Sequence, residues 1–180
     1  MALLDLHFVN ELIAVRQDQH GWAPGAPEIV NGHRVGASIN RSCIVMLSAL
    51  LQTFVEEVFE ETSVQLLGIE DDDARSSYRK SFIRWGNPSA ANIKTLFQRL
   101  GVSDILENLS WQRITNERIR SNLKQITEIR NQIAHGRRIL RWGDQNYSLS
   151  LAEVVRLRNF VEIFSGRFPI HVGLTCNLDE

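Results

Sequence analysis

Between Ser38 and Leu67, the apolar residues Ile39, Cys43, Met46, Leu47, Leu50, Leu51, Phe54 and Val58 recur at spacings of three and four. At about 100° per residue, these positions fill a broad arc of a helical wheel rather than a narrow stripe. An arc that wide cannot be hidden against one partner. It demands a helix at the centre of a bundle, with neighbours on several sides. No segment alternates apolar and polar residues at the period of two that a half-buried strand requires. The expected fold is therefore an all-α bundle of about five to seven helices around one long central helix.

The rest of the chain divides into further helices. A first helix is expected from Ala2 to about Gln19, with Leu3, Leu6, Val9, Ile13 and Val15 roughly on one face. The Gly21–Pro27 segment ends it, because two prolines and two glycines in seven residues cannot sustain a helix. Asn31-Gly32 is a tight-turn pair. After the central helix, Gly68 and the acidic Glu70-Asp71-Asp72-Asp73 mark a break, and a weaker helix is expected from about Ala74 to Ile83. Trp85-Gly86-Asn87-Pro88 reads as a turn. Ser89 caps a short helix that Gly101 closes, and Ser103 to Asn108 reads as one more helical turn. Between Thr115 and Ala134, Ile119, Leu123, Ile126, Ile129 and Ile133 step at helical spacing, with Gly136 where a C-cap glycine belongs. A brief extended stretch around Ile139 to Trp142 leads to a turn. Ser150-Leu151-Ala152-Glu153 is a capping box. It opens a last helix through about Phe164, which Phe168-Pro169 ends, leaving a short tail.

Composition bounds the class. The chain has 180 residues, so one domain over 1–180 with a core of about 37–164 is expected. No run of consecutive apolar residues approaches the ~18 of a membrane span. The start, Met1-Ala2-Leu3-Leu4-Asp5, lacks the basic n-region of a signal peptide. A cytoplasmic protein without a membrane partner is the expectation. Two cysteines, Cys43 and Cys176, exclude a disulfide framework, and Cys43 on the apolar arc reads as buried and inert. His7, His20, His33 and His171 are scattered, so neither a metal nor another cofactor is expected. A net charge of −1 argues against a generic nucleic-acid binder.

Placement of charge reverses that last inference. From Trp111 to Arg141, eight arginines and lysines face two acids, a local charge of +6, so the remainder carries −7. The stretch contains Arg130-Asn131-Gln132-Ile133-Ala134-His135-Gly136. On a wheel, Arg130 falls inside the apolar arc, between Ile119 and Leu123, where a guanidinium is costly unless it is paired or faces a cleft. Glu57, on the apolar arc of the central helix, is a candidate partner. Asn131 and His135 are about 40° apart and share the polar face with Lys124. Basic residues around a histidine suit a phosphodiester, which makes Lys124, Arg137, Arg138 and Arg141 candidate RNA contacts. The bland alternative is that a helix-end arginine and histidine complement the dipole, and that Arg137, Arg138 and Arg141 form a solvated face. Trp85, Trp111 and Trp142 read as packing residues rather than stacking platforms.

Arg130-Asn131-x-x-x-His135, closing a long helix, resembles the signature of the HEPN superfamily. The segment from Ile44 to Glu57 is similar to the long second helix of its RiboL-PSP-type branch. So is Gly86-Asn87-Pro88-Ser89-Ala90-Ala91-Asn92-Ile93-Lys94-Thr95-Leu96-Phe97, followed by Leu100-Gly101-Val102. The resemblance covers roughly Ala37 to Phe164. It implies a dimeric, metal-independent endoribonuclease of the kind found in toxin–antitoxin, phage-defence and RNA-processing systems, with an antitoxin or another defence protein as a further partner. In that chemistry the RNA 2′-hydroxyl attacks its own phosphate, leaving a 2′,3′-cyclic phosphate and a 5′-hydroxyl. His135 is implied as the proton-transfer group, Arg130 as the phosphate clamp and Asn131 as the orienting amide. Many members of the branch carry an acid where Gln52 stands, so Glu56 is a candidate to support the arginine instead. Other HEPN proteins are non-catalytic interaction modules or regulatory subunits of nucleotidyltransferases.

Overall fold

A computed structural model describes residues 4–20, 28–69, 71–82 and 85–176. Helix α1 spans His7–His20, α2 Ala37–Leu67, α3 Asp72–Phe82, α4 Ala90–Phe97, α5 Asn116–Ala134 and α6 Leu151–Cys176. Two small antiparallel hairpins pair β1 (Ile29–Val30) with β2 (His33–Arg34), and β3 (Leu140–Trp142) with β4 (Gln145–Tyr147). The all-α expectation holds. The expected loop from Gly21 to Pro27 lies outside the described residues, as do Glu70, Ile83 and the first two residues, Ala2 and Leu3, of the expected first helix.

Helix α2 forms the centre, as its wide apolar arc requires. Cys43, Ile44, Leu47, Leu51, Phe54, Val55, Val58 and Phe59 are all buried. They meet α1, α5 and α6, with α4 against the C-terminal half. By length and composition alone α2 could cross a membrane, yet half of its most apolar stretch is already buried within the fold. An aromatic cluster closes one end: Phe59 lies edge-on to Phe82 and Phe97, at 4.8 and 5.3 Å between ring centres. Burial of Cys43 pushes its thiol up to about 11, in keeping with an inert core residue.

Local signals set most of the boundaries. The Ser89 side chain accepts from Asn92 N–H at the start of α4, and Thr115 does the same for Arg118 at the start of α5. Gly101 and Gly136 take left-handed conformations past their helices. Asn31-Gly32 makes the tight β1–β2 turn, both residues having positive φ. Three expectations are corrected. The segment Ser103–Asn108 is a series of turns rather than a helical turn, because Asn116 Nδ2 bonds the carbonyls of Leu106 and Leu109 and the Asp104 side chain accepts from Leu106 N–H. The capping box at Ser150 is only half made: Glu153 N–H donates to Ser150 Oγ, but the Glu153 carboxylate is taken by Tyr147 and Arg156. The last helix does not stop near Phe164 but continues through Pro169 to Cys176. An interior proline costs ~3 kcal/mol of helix stability. Here Phe168 and Val172 are buried, Phe168 stacking on Phe164 at 4.9 Å and meeting Phe97 edge-on, and that packing prevails.

Arg156 ties α6 to α5. It donates to Asn122 Oδ1 (3.0 Å), Gln125 Oε1 (2.6 Å) and Glu153 Oε2 (3.0 Å), and both amides are buried. Arg156→Ala is expected to destabilise the fold by about 2 kcal/mol, because two buried acceptors lose their donor. The Arg156 hydrogen bond, aided by Tyr147, holds the Glu153 carboxyl below its ordinary value of 4.5. A folded pKa lower than the unfolded one adds stability above the ordinary value, and that stability is lost as pH falls through the folded value. The stability gap between the unaltered protein and Glu153→Gln, read from urea midpoints, should therefore be full at neutral pH and close in acid. A gap of the same size at every pH would contradict this coupling.

Candidate functional site

Helix α5 carries the Arg130, Asn131 and His135 set to the surface. Ile119, Leu123, Ile126 and Ile129 are fully buried against the bundle, which fixes the helix rotation. Arg130, next on that arc, is half-buried, and among the described residues it forms no ion pair. Its Nη1 donates to Asn131 Oδ1 at 3.1 Å. The same oxygen accepts from Asn87 Nδ2 at 3.3 Å, leaving the Asn131 amide nitrogen as a donor.

Asn87 comes from the turn before α4, and its placement is built from several contacts. Asn92 Nδ2 donates to the Asn87 carbonyl at 2.9 Å. Gly86 is required there: it has φ 111, and a Cβ would lie 2.8 Å from Asn92 Nδ2. Trp85 Nε1 donates to Glu56 Oε1 at 2.7 Å, tying the same turn to α2, and Gln52 Nε2 donates to that oxygen at 3.1 Å.

The two candidate supporting acids are thereby placed. Glu56 does not meet Arg130 within the chain. It holds the Trp85 turn that presents Asn87 to Asn131. Glu57 lines a separate depression with Glu60, Arg75 and Arg79, toward α3.

Past α5, the chain is fixed on both sides. His135 is the C-cap residue, followed by Gly136 at φ 69. Gly136 N–H donates to the Ile133 carbonyl at 2.9 Å and Arg137 N–H to the Gln132 carbonyl at 3.0 Å, the two bonds of a Schellman motif. Arg41 on α2 donates to the carbonyls of Arg137 (2.7 Å) and Arg138 (2.6 Å). The Gln132 side chain pairs with both backbone groups of Arg141 at 2.8 Å. His135 is exposed at the end of α5.

The +6 stretch is less concentrated than its sum implies. Arg120 is neutralised by Asp104 at 3.0 Å, far down α5 from the motif, and Arg113 and Arg118 share that end. Arg130, Arg137, Arg138 and Arg141 remain at the other end, the last three exposed. Arg41 and Arg34, from distant sequence, line a groove of about 640 Å³ together with Arg138 and Ile139. Lys124 is exposed, pairs with Glu128 at 3.7 Å and lies 5.9 Å over the Trp142 ring. Sequence reasoning missed Asn87, Arg34 and Arg41 as site residues. Asn87 lay within the stretch that carried the resemblance, but no local pattern marked the arginines. Among the described residues no three His, Cys, Asp or Glu side chains converge as metal ligands would.

A helical bundle whose long helix closes on Arg-Asn-x-x-x-His followed by a left-handed glycine is a HEPN-type domain. The chain belongs to the RiboL-PSP-HEPN family, whose sequence model matches residues 27–172. Helix α1 lies wholly before the matched segment. No curated protein and no solved structure matches the chain.

Gly136→Ala gives a test of the cap in which two effects have opposite signs. Helix propensity favours alanine over glycine, whereas the left-handed φ costs a side chain about 1 kcal/mol or more. No atom stands within 4 Å of a Cβ there, so conformation alone decides. The variant is expected to melt about 2–4 °C lower. A raised melting temperature would contradict the assigned cap.

Proposed function

We propose that this chain is a metal-independent endoribonuclease, acting in the cytoplasm as a homodimer with Arg130, Asn131 and His135 as its catalytic residues. The observation that carries the reading is Arg130: a half-buried guanidinium without an acid partner among the described residues, held by an oriented amide beside the helix end that exposes His135. A cation kept unneutralised in this way is ready for an anion that arrives from outside.

In the proposed reaction, a histidine takes the proton of the RNA 2′-hydroxyl and the 2′-oxygen attacks the adjacent phosphorus. Arg130 holds two phosphate oxygens and stabilises the charge of the phosphorane. The bond to the 5′-oxygen breaks as that oxygen accepts a proton, leaving a 2′,3′-cyclic phosphate and a 5′-hydroxyl. Acid and base are both needed, and one chain supplies one motif histidine. Two motifs facing each other across a dimer cleft would supply both. Asn131 orients the phosphate through its free amide. Arg137, Arg138, Arg141 and Lys124 hold the flanking backbone, so binding should weaken with salt. A toxin–antitoxin or phage-defence role, with an antitoxin or other defence protein as partner, fits this activity.

Cleavage of total RNA in the presence of EDTA tests the reading. The unaltered protein should cut, and Arg130→Ala and His135→Ala should each lower the rate by at least about a hundredfold, as loss of proton-transfer or charge-stabilising groups does. Gel filtration should give a dimer. Intact RNA in every lane, with the protein folded, would instead favour a non-catalytic interaction module or a regulatory subunit of a separate nucleotidyltransferase.

A further inference from the structure

A second cavity, of about 260 Å³, lies between α1, the start of α2 and the start of α6. Arg16 lines it from α1. This arginine is only 3% exposed, and its Nε and Nη1 are buried without a hydrogen-bond partner. Among the described residues that line the cavity, the other charged side chain is that of Arg34. The Arg16 guanidinium presses on the N-cap of α2, where a Cβ on Gly36 would fall 2.1 Å from Nε. Gly36 offers no side-chain cap to the first amides of α2, and Leu151, the first residue of α6, also lines the cavity. Both helix ends are positive poles of long dipoles, and Arg34 lines the same space. Among the described residues, no acid lines the cavity. Glu153, one turn into α6, is committed to Arg156 and Tyr147. The Gly21–Pro27 segment, which follows α1, contains no acid.

A buried guanidinium set against two helix N-termini is a costly arrangement unless an anion completes it. We propose that this cavity binds a phosphomonoester group, with Arg16 and Arg34 as its cationic ligands and the α2 and α6 amides as further donors. Ser148 and Ser150, which also line the cavity, would supply hydroxyls. Asn40 is 4% exposed; its Nδ2 donates to the Leu149 carbonyl at 2.9 Å, while its Oδ1 has no donor. An unmet acceptor beside a phosphate site suits a ligand hydroxyl, as on a sugar. The space exceeds what one phosphate fills, so the chemistry matches a nucleotide. The neighbouring groove shares Arg34 and Ala37 with this cavity and runs to Arg41 and Arg138. The phosphate can therefore arrive on a free nucleotide or on the 5′ end of a strand lying in that groove. The proposal does not depend on the nuclease reading: Arg16 stands outside the family-matched segment, and none of Arg130, Asn131 or His135 lines the cavity.

Isothermal titration of the full chain tests it with four probes: inorganic phosphate, AMP, and one DNA octamer carrying either a 5′-phosphate or a 5′-hydroxyl, which lacks the 2′-hydroxyl and so is not cut. Saturable binding of phosphate or AMP, one per chain, is expected. Arg16→Met should abolish it, and Arg34→Ala, an exposed change that leaves the fold intact, should weaken it at least tenfold. Without ligand, Arg16→Met should melt no lower than the unaltered protein, since the buried charge is gone. A 5′-phosphorylated octamer that outcompetes both AMP and its 5′-hydroxyl form would identify a strand end as the source, and AMP binding tighter than either octamer would identify a free nucleotide. Absence of binding by all four probes overturns the proposal. So does binding that is unchanged by Arg34→Ala, or binding lost in His135→Ala, which would place the phosphate at the α5 motif.

Discussion

The side chains of Cys43, Ile44, Leu47, Leu51, Phe54, Val55, Val58 and Phe59 on α2 are withdrawn from solvent, and no single neighbour covers them. Helices α1, α5 and α6 each take a sector. Once α5 is committed to one sector by Ile119, Leu123, Ile126 and Ile129, its last turn must emerge beside the first turns of α2. Arg41 there is within reach of the Arg137 and Arg138 carbonyls. Placement of the motif is thus a consequence of core packing. The motif-bearing end of α5 is anchored through the buried residues Ile119, Leu123, Ile126 and Ile129 below it.

The polar contacts above that core divide the labour. Glu56 spends its carboxylate on Trp85 and Gln52, which fixes the turn that carries Asn87. Asn87 and Arg130 both donate to Asn131 Oδ1, so the amide is oriented from two sides. Among the described residues, the half-buried cation meets one neutral acceptor rather than a carboxylate. A carboxylate would cancel the charge that a phosphate needs. The reading of the site as a phosphate clamp rests on that difference.

Much of the fold was legible because it follows from local rules. Period, N-caps at Ser89 and Thr115, glycines at 101 and 136, and the Asn31-Gly32 turn each act within a few residues. The errors arose where distant contacts decided. Pro169 reads as a stop, yet Phe168 and Val172 find a buried aromatic cluster and hold α6 together beyond it. Glu153 reads as a capping-box acid, yet Arg156 and Tyr147 claim it. The site was legible in its motif and not in its setting. Charge summed along Trp111–Arg141 counted Arg120, which Asp104 neutralises, and omitted Arg34 and Arg41, which the fold brings in from elsewhere. Linear summation cannot see either effect.

In the proposed reaction, an arginine without an acid partner among the described residues and an exposed histidine at the end of α5 would carry transphosphorylation. The chemistry of the product ends tests that claim most directly. RNA fragments produced in EDTA should accept label from polynucleotide kinase without prior phosphatase treatment, as 5′-hydroxyl ends do, and their 3′ ends should be 2′,3′-cyclic phosphates. Fragments with 5′-phosphates and free 3′-hydroxyls would mean that water rather than the 2′-oxygen attacks, and would contradict the account.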